Sequence, residues 1–157
     1  MPVFVPPSVS SPVEPATSTP TPIQGDGAPI APAMEMTVAA MMLADYAAIR
    51  EGLLHMVGGG VVSLAFSGQV GQLGRDLVVF VETGTGGTYE LVAGVCGPDG
   101  GVLVEGVVGV FESGGGVVPH VVSLREVTLA GPGLHVVSVG LNGTWVANLG
   151  VQVDLLE

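Results

Sequence analysis

GPGLHVVSVGLNGTWVANLGVQV, residues 131–153, decides the fold, because strand pattern, turn chemistry and side-chain alternation all agree in it. Trp145, Ala147, Leu149, Val151, Val153 and Leu155 recur at alternate positions, while Thr144, Asn148, Gln152 and Asp154 fall mainly on the other side. Such alternation marks a half-buried strand, and it predicts Trp145, Leu149, Val151 and Val153 in the core. Asn142-Gly143 separates this strand from residues 135–141. A two-residue Asn-Gly loop accepts the positive φ angles of the type I′ turn that a twisted hairpin needs. A hairpin is marginal alone in water, so its apolar face has to pack on further strands.

The chain on the N-terminal side supplies them. Residues 36–43 read as a strand, although Ala and Met also favour helix. Residues 53–57 and 61–66, on either side of Gly58-Gly59-Gly60, read as one bent strand with a glycine corner. Gly68, Gly71 and Gly74 lie in a polar loop, GQVGQLG, whose spacing and flanks are not those of a dinucleotide-binding turn. Strands follow at 75–82 and 88–96. The GPDGG turn at 97–101 has Pro98 preset for its second position and Gly100 free to take positive φ. Residues 102–111 return antiparallel, Gly114-Gly115-Gly116 opens a loop, residues 119–129 form another strand, and Gly131-Pro132-Gly133 turns into the closing hairpin. About eight strands spaced by roughly 8–12 residues predict an all-β, antiparallel sandwich. No strand leads into a helical crossover, which argues against a parallel α/β fold.

Composition limits the partners. The 157 residues carry a formal net charge of -11, with 11% charged residues and three basic side chains. These are Arg50, Arg75 and Arg125, isolated in sequence. Nucleic-acid binding relies on clustered cations that displace counterions, so no nucleic acid is expected as a partner; anionic membranes are disfavoured for the same reason. Mean hydropathy is high, +0.67, yet no apolar run approaches the ~18 residues of a spanning helix. The opening MPVFVPPSVSS lacks a basic region and is broken by Pro2, Pro6 and Pro7, unlike a secretory signal. Cys96 is the single cysteine, so no intrachain disulfide forms. Much apolar surface with little charge points to coverage by other subunits.

Residues 1–36 hold nine of the twelve prolines and show no sustained apolar period. They read as an extended Pro/Ser/Thr-rich arm, with residues 37–157 as the domain. Polyproline II rises ~3.1 Å per residue, so such an arm reaches on the order of 100 Å when stretched. Its apolar positions, Val3, Phe4, Val5, Ile23 and Ile30, are the candidate partner-binding residues.

Two motifs carry a resemblance to a known family. ADYAAIREGLLHMVGGGVVSL resembles the opening strand pair of small immunoglobulin-like β-sandwich domains of unassigned function from bacteria and their phages. GPGLHVVSVGLNGTWVANLGV resembles their closing hairpin. Asp45-Tyr46, Gly58 to Gly60, Pro132-Gly133 and Asn142-Gly143 match, and His135 stands where an aromatic is more usual. The resemblance spans about residues 37–153 and implies an immunoglobulin-like sandwich; the immunoglobulin cysteine pair is missing. It carries no catalytic residues with it.

Chemical motifs are sparse. His55, His120 and His135 lack the close spacing of a metal site, and no metal or cofactor is expected. Cys96 has no basic neighbour to lower its pKa and reads as a small buried thiol. The carboxylates are dispersed, without a calcium loop. With Trp145 assigned to the core, an aromatic sugar platform is hard to assemble. The expectation is therefore a structural or interaction protein and no enzyme: a phage virion component, such as a minor capsid or head decoration protein, located at the capsid surface and bound to capsid subunits and itself. Outside a phage the location would be cytoplasmic. The alternative is a bacterial ligand- or carbohydrate-binding sandwich using the loops at 67–74 and 112–118.

Overall fold

The computed structural model describes residues 35–157, which form ten strands and no helix: β1 (Met36–Ala44), β2 (Tyr46–Arg50), β3 (Leu53–Val57), β4 (Ser63–Ser67), β5 (Asp76–Thr83), β6 (Gly87–Cys96), β7 (Val102–Ser113), β8 (Gly116–Ser123), β9 (Gly133–Leu141) and β10 (Thr144–Leu156). The chain is all-β over this span. The arm residues Val3, Phe4, Val5, Ile23 and Ile30 lie outside the described residues.

The closing hairpin is where the sequence put it. β9 and β10 pair antiparallel from Thr144↔Leu141 to Val153↔Gly133. Asn142 and Gly143 have φ of 48° and 78°, the left-handed pair that a type I′ turn requires. The hairpin sits inside a five-stranded sheet of order β4-β10-β9-β6-β7, which is curled into a half-barrel. A three-stranded sheet of order β1-β5-β8 faces it. Leu77, Val79 and Val81 of β5 meet Leu91 and Val95 of β6, Val137 and Val139 of β9, and Val151 and Val153 of β10 in the main core. Each such side chain removed from water contributes about 1.5–3 kcal/mol.

β5 is covered on both faces. Its opposite side, through Val78, packs with Ala44 and Ala47 and with the half-buried Leu54 and Phe80. This second small core seats the β2–β3 ribbon, a separate two-stranded sheet, on the back of the three-stranded one. The continuous apolar run of β5, Leu77 to Val81, is what a strand buried on both sides demands.

Several expectations are corrected. Residues 53–57 and 61–66 are not one bent strand: β3 pairs with β2, while β4 pairs in parallel with β10, Ser63 opposite Gln152. The fold is thus not wholly antiparallel. The separation follows from a tight turn at Glu51-Gly52, with φ of 52° and 75°, which closes β2–β3 as its own hairpin. The strand expected over 119–129 ends at Ser123, after which residues 124–129 bond back to the 71–74 segment. Pro119 is tolerated because β8 lies at a sheet edge and pairs only with β5. The loop opened by the glycines is two residues, Gly114 and Gly115, and the strand placed from residue 119 already starts at Gly116. Pro98, Gly100 and Pro132 lie in the turns assigned to them, Gly100 with φ of 81°, whereas Gly133, with φ of 126°, already opens β9 opposite Val153.

Candidate functional site

Trp145 is the largest departure from the sequence reading. It was expected in the core, but it is 48% exposed on the outer face of the five-stranded sheet. The pairing shows why. Trp145 stands opposite Gly140 and Ala147 opposite Val139, so Val146 is an extra residue in β10. A bulge of this kind breaks the alternation: Val151 and Val153 remain buried, Leu149 is half-buried against the core, and Trp145 turns to the other side.

The indole has a floor made for it. A Cβ at Gly140 would stand 3.3 Å from its Cε3, and a Cβ at Gly94 would stand 3.4 Å from its Cη2. The ring therefore lies from β10 across β9 to β6, one face on glycine backbone. Gly94 pairs with Ser138 on one side and Glu105 on the other, and Ser138 pairs with Asn148, so these residues make a polar row beside the ring. The Ser138 hydroxyl donates to the Asn148 carbonyl oxygen at 2.8 Å. Trp145, Glu105, Ser138, Asn148 and Val104 border an open cavity of about 370 Å³, with Cys96, half-buried, at its far side.

A second exposed surface lies on the β2–β3 ribbon. Ala47 and Leu54 face inward, while Tyr46, Leu53 and Val57 share the opposite face through the pairs Tyr46↔Val57 and Arg50↔Leu53. Leu53 is 64% and Val57 63% exposed. The Arg50 guanidinium donates to the Tyr46 hydroxyl at 3.1 Å along one edge of this face.

The ionisable residues serve the fold. Arg125 donates to both carboxylate oxygens of buried Asp76, from Nε at 2.9 Å and from Nη2 at 2.8 Å, and also to the Asp45 carbonyl. The Ala47 N–H donates to Asp76 Oδ2 at 2.9 Å, and Arg75 Nε lies 2.9 Å from Asp45 Oδ1. Burial pushes the Asp76 carboxyl up, but the Arg125 and Ala47 bonds outweigh it and hold it below the ordinary 3.8. Two arginines that look isolated in sequence thus clamp the β1–β2 corner to β5.

The three histidines sit apart. His120 shares a 2.5 Å hydrogen bond with the Tyr89 hydroxyl, and both are buried beside Phe111, whose ring is tilted 48° to the imidazole with centroids 4.3 Å apart. Burial holds His120 below its ordinary 6.5 and pushes the Tyr89 phenol up. His135 is fully buried: the Ala130 N–H donates to its Nε2 and its Nδ1 faces the Gly133 carbonyl, both at 3.3 Å. His55 is exposed on β3. Among the described residues no three His, Cys, Asp or Glu side chains come together as a metal site. The loop at 67–74, offered as a ligand loop, is tied down: Leu73 and Gly74 donate to the Val127 and Arg125 carbonyls, and Leu73 is buried.

No protein-family model matches this chain, and no curated protein matches it in sequence. Among solved structures it is similar to the Pseudomonas fluorescens alkylpurine DNA glycosylase AlkC bound to DNA containing an abasic site analog. That likeness has 15% identity and a TM-score of 0.49, over 76% of this chain and 30% of the other. Two expectations are corrected by it: that the chain is no enzyme, and that nucleic acid is not among its partners. The similar chain is an enzyme and holds DNA, so both exclusions are withdrawn. A likeness at this level assigns neither an activity nor a site to the residues above.

Proposed function

We propose that this protein is an interaction module that holds neighbouring subunits of a larger assembly, with the outer face of the β2–β3 ribbon as its principal contact surface. The carrying observation is the exposure of Leu53 and Val57 on one face of a two-stranded ribbon, Val57 opposite Tyr46 and the exposed His55 between Leu53 and Val57. A ribbon of this kind has little stability of its own. Exposed apolar side chains grouped on such an element mark an interaction surface, and covering them from outside stabilises both the ribbon and the contact. The sparse charge of the chain supports association by apolar area.

The finer reading of the all-β fold that accompanies this proposal is an immunoglobulin-like sandwich. Its most concrete setting is a phage virion, as a minor capsid or head decoration subunit, supported by the sequence resemblance and by the proline-rich leader. Val3, Phe4, Val5, Ile23 and Ile30 would then add weak contacts that multiply through effective concentration. Sedimentation of the full chain beside a variant with carboxylates at Leu53 and Val57 tests the proposal.

A further inference from the structure

We propose that the Trp145 face of the five-stranded sheet is a binding site for a neutral saccharide. It lies on the opposite outer layer from the β2–β3 ribbon and stands independently of the assembly reading.

A surface tryptophan costs apolar exposure, and nothing in the strand pattern forces one here. The bulge at Val146 turns the side chain outward, and two glycines, one on each of the next two strands, leave the space in which the ring lies down. A Cβ at Gly140 would crowd the indole by a few tenths of an ångström, and one at Gly94 would already stand in van der Waals contact with it. The 48% exposure fits a ring with one face on backbone and one face open. The open face carries the negative side of the indole quadrupole. The C–H bonds on one face of a pyranose carry the complementary partial positive charge and present a flat surface of similar size.

The rim supplies what the hydroxyls of such a ring need. Because the Asn148 carbonyl oxygen is taken by Ser138, its amide N–H₂ remains as donor. The Ser138 oxygen and the Glu105 carboxylate remain as acceptors. Apolar floor, a few convergent polar groups and a volume of about 370 Å³ are the usual composition of a small-ligand site.

Charge selects the ligand class. All three arginines lie elsewhere, on the ribbon and in the Asp45–Asp76 clamp, and the chain contains no lysine. An anionic ligand would meet Glu105 with no counter-charge. A polyproline segment needs successive aromatic grooves, and this face offers a single aromatic ring: Tyr89 and Phe111 point into the core. One stacked, uncharged ring is what remains.

Trp145 is the single tryptophan of the chain, so its emission reports this site alone. The experiment titrates the full chain with the hexasaccharides of β-1,4-linked glucose, N-acetylglucosamine, mannose and xylose, and with polygalacturonate, oligothymidylate and decaproline. The expected result is a saturable emission change with at least one neutral hexasaccharide, weakened about tenfold in Asn148→Ala and absent by calorimetry in Trp145→Ala. The L53D/V57D chain should bind as the unchanged chain does, which separates this test from that of the assembly. No saturation with any of the four, binding that survives Trp145→Ala, or tighter binding of polygalacturonate, oligothymidylate or decaproline would overturn it.

Discussion

Gly58 packs directly against the Asp45 carboxylate: a Cβ on Gly58 would lie 2.1 Å from Asp45 Oδ2 and would force that side chain to move. Its φ of +64° is also one that L side chains rarely adopt. Gly58→Ala therefore meets both strain and a clash at the corner where Asp45 pairs with Arg75. A loss of about 2 kcal/mol or more is expected in denaturant melts. Gly60→Ala serves as the reference, since its Cβ meets nothing within 4 Å at a comparable φ of +88°.

Arg125→Ala leaves the buried Asp76 carboxylate with the Ala47 N–H but without its two guanidinium bonds. A buried acceptor deprived of its donors costs about 1–3 kcal/mol. Asp76→Asn, which keeps the shape and the acceptor oxygen, should cost less than Asp76→Ala. Thermal melts of the three variants check the order.

Stability should depend on pH in two acid windows. His120 is depressed below 6.5 by burial, so the unfolded chain takes up its proton first. Its contribution is complete above about pH 6.5 and is lost as pH falls from there toward the folded value. Asp76, held below 3.8, contributes above its unfolded value and loses that contribution as pH falls through the folded one. Urea melts should show stability falling below pH 6.5 and again below pH 4, and His120→Phe, which is free of the first titration, should flatten the upper window. Tyr89 gives the opposite sign: raised above 10.0, it favours unfolding as pH climbs past that value.

Trp145 and Leu91 separate the outer face from the core. Leu91→Ala, at a fully buried position, should cost about 2–5 kcal/mol. Trp145→Ala removes a larger but half-exposed side chain and should cost no more than about 1 kcal/mol. Had Trp145 occupied the core position that simple alternation gives it, its truncation would be the costlier of the two.

What was legible in the sequence was local. Asn142-Gly143 fixed the closing hairpin because both residues must take positive φ, and Val151 and Val153 stayed in phase with the buried face. The pattern failed at the Val146 bulge, where one added residue reverses every side chain beyond it while leaving the composition of the strand unchanged. The Glu51-Gly52 turn was harder to read because its first residue is a Glu in a left-handed conformation, an uncommon choice. Parallel pairing of β4 with β10 leaves no local mark, since the partners lie nearly ninety positions apart. The same holds for the Arg125–Asp76 clamp and for the Trp145 row with Ser138, Asn148 and Glu105. Arg125 lies in the segment after β8, 49 positions from Asp76, and Glu105 joins the row from β7, outside the hairpin that sets Ser138 beside Asn148.

The most direct test of the account is sedimentation velocity of the full chain over a range of concentration, beside the L53D/V57D variant, with circular dichroism to confirm that both keep their strands. The account predicts that the full chain forms species heavier than 15.6 kDa as concentration rises and that the two carboxylates return it to that mass. A full chain that stays at 15.6 kDa at the highest attainable concentration, or heavier species that L53D/V57D leaves intact, would contradict it.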